Sequence, residues 1–217
     1  MIRHYFDILN FILLRRATQK YKEAKAEARP RYCWGRATTR GATLGLVEFD
    51  YHAAMTEGHT FNELVAQRLR DEGIGCTVPE LELVTSDADI RRLTKEEKDI
   101  ILDNGLVLEV KSRNLGFSED PSVFWQSNLY VDTYSGYEAK EVKPYAYVMV
   151  SQKSGNMLVV HSNTKEHWFK HTTQDPYRKI TETFYKIDRK HLTTWASLVD
   201  ELKSGRWEKS VLGVKPR

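Results

Sequence analysis

Asp99-Ile-Ile-Leu-Asp103-Asn-Gly-Leu-Val-Leu-Glu109-Val-Lys111 is the stretch on which the reading of the fold turns. Two apolar runs flank Asp103-Asn104-Gly105, and Asn-Gly after an apolar run is a strong short-range hairpin signal. The expected strands are Lys98–Leu102 and Leu106–Ser112. Side chains alternate along a strand, so Glu109 and Lys111 share one face while Leu108 and Val110 anchor the other in the core. The loop length then decides where Asp99 falls. A two-residue loop sets it opposite Val110, on the wrong face. A three-residue loop, closed by Gly105 in the left-handed conformation with a bulge, sets it opposite Glu109. The three-residue form is expected.

Directly opposed Cβ atoms lie about 4.5–5.5 Å apart, so two bare carboxylates at 99 and 109 repel one another. A bound cation removes that repulsion, and oxygen ligands with room for water and a phosphate suit Mg²⁺.

Working upstream, Phe61, Leu64, Val65 and Leu69 form an apolar stripe on a helix expected to open near Thr60. Glu63 completes a capping-box pattern there, and Gly73 closes the helix. Val78–Thr85 alternates as a strand, and Asp87–Lys98 is polar with about one helical turn. Downstream, Pro121–Tyr134 reads as a Pro-capped helix. Tyr145–Val150 and Met157–Val160 read as strands joined at Lys153-Ser154-Gly155-Asn156, and Thr183–Ile187 as a further strand. Thr193–Lys203 reads as an amphipathic helix ending at Gly205. The order implies an α/β (α+β) fold, a central mixed β-sheet flanked by helices. The expected division is an N-terminal basic extension (1–57), a core (58–160) and a C-terminal extension packed on it (161–217), as one domain overall.

The chain has 217 residues and a net charge of +3, which conceals an asymmetry. Arg15–Arg40 holds nine basic and two acidic residues, so that segment carries +7 and the remainder −4. A one-sided basic segment of this kind neutralises phosphates and releases counterions, which points to nucleic acid. It falls within a helix read over 1–28 and an irregular stretch over 31–58, with a short strand at Leu44–Phe49. Cys33 and Cys76 stand alone, without zinc or disulfide spacing, which suits a reducing compartment. Tyr5–Leu14, broken by Asp7 and Asn10, is too short to span a bilayer. A cytoplasmic, intracellular protein without a membrane partner is expected.

An acidic residue on one strand followed by Glu-Val-Lys on the next resembles the PD-(D/E)xK nuclease superfamily, the restriction-endonuclease-like group. Gly58-His-Thr-Phe-Asn-Glu63 is similar to the first core helix of that superfamily, the order of a helix at Pro121–Tyr134 and then a strand at Tyr145–Val150 matches it too, and the resemblance covers roughly residues 58 to 160. Lys98 stands at the nominal Pro of the motif. The resemblance implies that Asp99 and Glu109 ligate Mg²⁺ (Mn²⁺ as a substitute) with the Val110 carbonyl. It implies that Lys111 orients or deprotonates the attacking water and stabilises the phosphorane. Glu63 would hold a metal-bound water or a second metal. Hydrolysis of a phosphodiester needs a nucleophile at neutral pH and neutralised phosphate charge; a metal supplies both, and an ammonium adds to the second.

Lesser signals lie nearby. Gln126-x-x-x-Tyr130 matches a pattern of one exonuclease-like branch, with Gln126 above the site. Arg113, and less so Ser112, are candidates for phosphate contact. His161, His167 and His171 lack the further ligands a zinc site needs. Aromatic and basic residues interleave over Lys165–Lys190, in the manner of backbone or groove contacts. No nucleotide-binding loop of the form GxxxxGK[ST] is present in the sequence. The resulting expectation is a Mg²⁺-dependent endonuclease cutting double-stranded DNA, sequence- or structure-directed, as a homodimer because two strands require two sites. The alternatives are a non-catalytic nucleic-acid-binding protein on the same fold, or a junction resolvase or RNase with the same site.

Overall fold

The computed structural model describes residues 51–82, 87–174 and 181–207, with the side chains of 51–54 and 87–91 left aside. The basic segment, Cys33, the 1–28 helix and the Leu44–Phe49 strand lie outside the described residues.

The first described element is helix α1, Tyr51–Asp71. It begins well before the expected start at Thr60. Thr60 is not a cap: its hydroxyl donates to the Thr56 carbonyl at 3.0 Å, the back-bonding that lets a threonine sit inside a helix. Phe61, Val65, Ala66 and Leu69 are buried, a stripe at helical spacing. The helix ends where expected. Gly73 takes φ +78°, its N–H donates to Arg70, and Ile74 N–H donates to Leu69. These two bonds make a Schellman closure that only a residue without Cβ enters at no cost.

The chain then forms β1 (Cys76–Thr77), α2 (Asp87–Glu96), β2 (Ile100–Leu102) and β3 (Val107–Arg113). Of the expected Val78–Thr85 strand, residues 78–82 carry no regular structure; the two-residue β1 just before them pairs with β2 instead. α2 is a ten-residue helix rather than a single turn. The hairpin forms with the register Ile100↔Leu108 and Ile101↔Val107, which is that of the three-residue loop. Gly105 takes φ +84°, Gly105 N–H donates to Leu102 at 2.8 Å, and Leu102 N–H donates to Leu106 at 2.9 Å.

The expected helix over Pro121–Tyr134 does not exist. Asp120 caps a single 3-10 turn, Pro121–Val123, and the chain continues as strand β4, Asn128–Thr133, before a short helix α3, Tyr134–Ala139. Leu129 and Val131 are buried with the half-buried Tyr130 between them, an apolar period of two that includes the strand-favouring Tyr130 and Val131 and outweighs the helix start at Pro121. Then follow β5 (Ala146–Ser151), β6 (Met157–His161), β7 (Phe169–Gln174), β8 (Thr181–Asp188), β9 (Thr193–Thr194) and α4 (Trp195–Lys203).

These elements make a mixed α/β architecture. A six-stranded sheet runs β1-β2-β3-β5-β6-β9, and a three-stranded antiparallel sheet runs β4-β8-β7. β3 and β5 are parallel and central, while the other pairs in the large sheet are antiparallel. The large sheet is covered on both faces. One face packs Leu108, Val110, Val148 and Val159 against Phe61 and Val65 of α1 and Leu198 and Leu202 of α4. The other packs Tyr147, Met149, Leu158 and Val160 against Leu129, Val131, Tyr185 and Ile187 of the small sheet. The strand carrying Glu109 and Lys111 is thereby held between two apolar layers. Among the described residues, no helix is long and apolar enough to cross a membrane.

Candidate functional site

The site forms where the β2–β3 hairpin meets α1, α3 and β4. Asp99 lies one residue before β2, and the hairpin register places it across from Glu109. Its Oδ2 accepts from the Val110 N–H at 2.7 Å, and its Oδ1 accepts from the Asn62 amide at 3.1 Å. Asp99 is therefore turned onto β3 rather than away from it. Glu109 is 5% exposed and accepts from the Lys111 ammonium at 2.7 Å. Lys140, the residue that ends α3, comes within 3.0 Å of the same Glu109 oxygen. Lys111 also reaches Asp132 of β4, at 3.5 Å. Asp132 in turn accepts from the Tyr147 hydroxyl of β5 at 3.0 Å.

A cavity of about 550 Å³ opens on this cluster, bordered by Asn62, His59, Asp99, Glu109, Val110 and Lys111 among others. Arg92 on its rim is paired with Glu82 and Glu96.

The electrostatics follow from the crowding. Burial, then the Glu109 charge, push the Asp99 carboxyl up to about 7. Burial also pushes the Glu109 carboxyl up, but the Lys111 and Lys140 ammoniums outweigh it and hold Glu109 below its ordinary value. Burial works against the charged form of Lys111, yet Glu109, Asp132 and Asp99 outweigh it and keep the amine protonated well above its usual range. Glu97, also on the cavity wall, is raised by burial and then by Glu109.

Not every residue singled out in the sequence arrives here. Glu63 lies on the exposed side of α1, 3.7 Å from Arg70, and α1 turns Met55, His59 and Asn62 to the cavity instead. The spacing explains it: with 61, 65 and 69 in the core, position 63 falls on the opposite face and position 62 on the flank. Arg113 is not offered to the cavity. Its Nη2 donates to the carbonyls of Tyr130 (2.8 Å) and Val131 (3.2 Å), bracing β3 against β4, and burial lowers its guanidinium to about 10. Ser112 accepts from Gln152 at 3.2 Å and does not border the cavity. Gln126 sits in the bend before β4, so it shares no helix face with Tyr130, whose ring meets His171 and Phe184.

The three histidines are apart: His161 lies 3.6 Å from Glu201, His167 stacks on His191, and His171 lies against Tyr130. Several lysines of the C-terminal region rest on rings, Lys165 on Tyr185 and Lys170 on Tyr134.

No known protein family, curated protein or solved structure matches this chain. The geometry alone carries the functional reading. Asn62, Asp132 and Lys140, none of them named in the sequence reading, complete the cluster. Asn62 could have been found from the α1 stripe. Asp132 and Lys140 reach Glu109 and Lys111 only through tertiary packing, and no local pattern marks them.

Proposed function

We propose that this chain is a Mg²⁺-dependent nuclease of the PD-(D/E)xK type, hydrolysing phosphodiester bonds of DNA. One observation carries the reading: Asp99 is held by the Val110 amide beside Glu109, with the Lys111 ammonium 2.7 Å from Glu109. The mixed sheet, with a helix ahead of it and a parallel β3/β5 pair, supports the same reading.

The donor set fits the metal. Asp99 and Glu109 are buried side by side, and burial first, then the charge of Glu109, disfavours the ionised form of Asp99, a cost that a cation bound between them would relieve. Among the described residues, no three His, Cys, Asp or Glu side chains gather into a metal-holding group. Mg²⁺, which takes one or two carboxylates and fills its remaining positions with water and phosphate oxygens, needs no such group. Asp99 and Glu109 would hold it, with the Val110 carbonyl, and once bound it supplies phosphate neutralisation and a more acidic water.

The side chains do the rest. The Lys111 ammonium, held by Glu109 and Asp132 on the cavity wall, would meet a phosphate bound there and stabilise the charge of the pentacovalent phosphorane. Asn62 keeps Asp99 in the plane of the site through its amide. Lys140 offsets the charge of Glu109 in the resting protein. The basic segment Arg15–Arg40 suits attraction of a polyanion, and a homodimer would bring the second site that double-strand cutting requires.

Supercoiled plasmid incubated with the protein and Mg²⁺, beside Lys111→Ala and EDTA controls, tests this directly. Nicked and linear products are expected from the native protein alone, with discrete fragments if cutting is sequence-directed. Parallel arms with branched DNA and RNA separate a junction resolvase and an RNase. Native protein and K111A behaving alike on every substrate overturns the proposal.

A further inference from the structure

β4 carries an irregularity at an informative place. Its pairing with β8 shifts between Tyr130 and Asp132, so Val131 and Asp132, neighbours that regular alternation would send to opposite faces, are both buried. A bulge re-aims one side chain, and bulges recur beside active sites. Here the re-aimed side chain is Asp132, 8% exposed, and it meets two groups. The Tyr147 hydroxyl donates to Oδ2 at 3.0 Å. The Lys111 ammonium lies 3.5 Å from Oδ1, which also accepts from the Thr133 N–H at 2.9 Å.

We infer that Asp132, delivered by the β4 bulge and locked by Tyr147, is the positioning residue that fixes the direction of the Lys111 ammonium. The inference rests on the nuclease reading for the use of Lys111, although the positioning itself is a matter of geometry. A lysine side chain has four rotatable bonds and a point charge that is satisfied by any nearby anion. Its 2.7 Å partner, Glu109, does not suffice as a guide, because the same oxygen is shared with Lys140. A shared carboxylate that must also serve a cation leaves Lys111 without a fixed reference. Asp132 provides one that no other ammonium among the described contacts uses. It is itself held at both oxygens, so it is a rigid support rather than a second mobile group. The small sheet thus contributes to the site a side chain that the hairpin cannot supply.

The test uses the full-length protein and the variants Asp132→Asn, Asp132→Glu, Tyr147→Phe and the D132N/Y147F pair. Single-turnover plasmid cleavage is read beside DNA affinity without metal, thermal midpoint, and crystal structures of native and D132N proteins. D132N is expected to cleave about 10–100-fold more slowly, the size of effect a misplacement near 1 Å produces. DNA affinity is expected to stay within about twofold, and D132E to recover part of the rate. Y147F should lose less than D132N, and the pair should lose no more than D132N alone, because Tyr147 acts through Asp132. In the D132N crystal structure the Lys111 ammonium is expected to leave its native position.

A D132N protein that cleaves within about twofold of native, or one whose Lys111 ammonium has not moved, overturns the inference. So does a loss of rate matched by an equal loss of DNA affinity. Should D132N fail to fold, Y147F carries the same comparison with the carboxylate retained. If native protein cleaves nothing, the nuclease reading falls, while the crystallographic comparison still decides whether Asp132 positions Lys111.

Discussion

Replacing Gly105 by alanine isolates the bend on which the candidate site depends. Gly105 has φ +84°, and a Cβ built there meets nothing within 4 Å. No collision contributes, so the whole effect is the dihedral cost of an L-residue in left-handed backbone, about 1–2 kcal/mol. At this chain length, 1 kcal/mol moves the thermal midpoint by about 2–4 °C, giving a fall of about 2–8 °C for Gly105→Ala. Gly105→Asn should fall less, since asparagine tolerates this region, and Gly105→Val more. Calorimetry on the four proteins reads the series. The flanking bonds, Gly105 to Leu102 and Leu102 to Leu106, keep the register in the alanine protein, so plasmid cleavage per folded molecule should stay near native. Deleting Asn104 differs in kind: it leaves a two-residue loop, moves Asp99 to the face opposite Glu109, and should abolish cleavage. A Gly105→Val protein as stable as native, or a deletion protein that folds and cleaves normally, would refute the reasoning.

Four other expectations concern α1, His161 and α4. Glu63→Gln should change stability by less than about 1 kcal/mol, because its ion pair with Arg70 is exposed and 3.7 Å long, and should leave cleavage unaltered. Asn62→Ala, which strips a hydrogen bond from the Asp99 carboxylate, should slow cleavage by about 10-fold or more; equal rates for the two would reverse the assignment of α1 residues to the site. Burial holds the His161 imidazole below its ordinary 6.5, against the opposing pull of Glu201. The unfolded chain therefore binds the proton more readily, so this contribution is full above about pH 6.5 and is lost as pH falls through the lower native value. Urea unfolding between pH 5 and 8 should show that slope, flattened in His161→Gln; an unchanged slope would exclude His161 as its source. Leu198→Ala should cost about 2–5 kcal/mol, since Leu198 is fully buried beneath the large sheet, and a loss below about 1 kcal/mol in chemical denaturation would contradict the packing of α4.

The parts of the fold legible in the sequence are those governed by local chemistry. Asn104-Gly105 between apolar runs gives the hairpin and its register, and Gly73 gives the end of α1, because backbone conformation there is set by single residues. β4 was obscured by competition between two local signals. Pro121 behind a capping aspartate starts a helical turn, and the alternation of Leu129 and Val131 takes over only seven residues later. For the same reason Gln126 lies in a bend ahead of β4 and not on a helix face. Glu63 enters only through the capping pattern and the resemblance, whereas the phase of the α1 stripe turns position 62 to the cavity. Asp132 and Lys140 approach Glu109 and Lys111 through pairings with distant segments, and one-dimensional periodicity holds no record of those.

The two carboxylates are ten residues apart along the chain and are joined by the tightest bend in this region. The anchor for the lysine is different, because β4 is secured by β8, more than fifty residues further on. Closing a short loop costs less entropy than closing a long one, and pairings between distant segments form slowly. The pairing of the acids is therefore set within one hairpin, whereas the support of the ammonium depends on the last third of the chain. A chain cut before β8 loses the strand that secures Asp132, and with it the support that aims the positive charge.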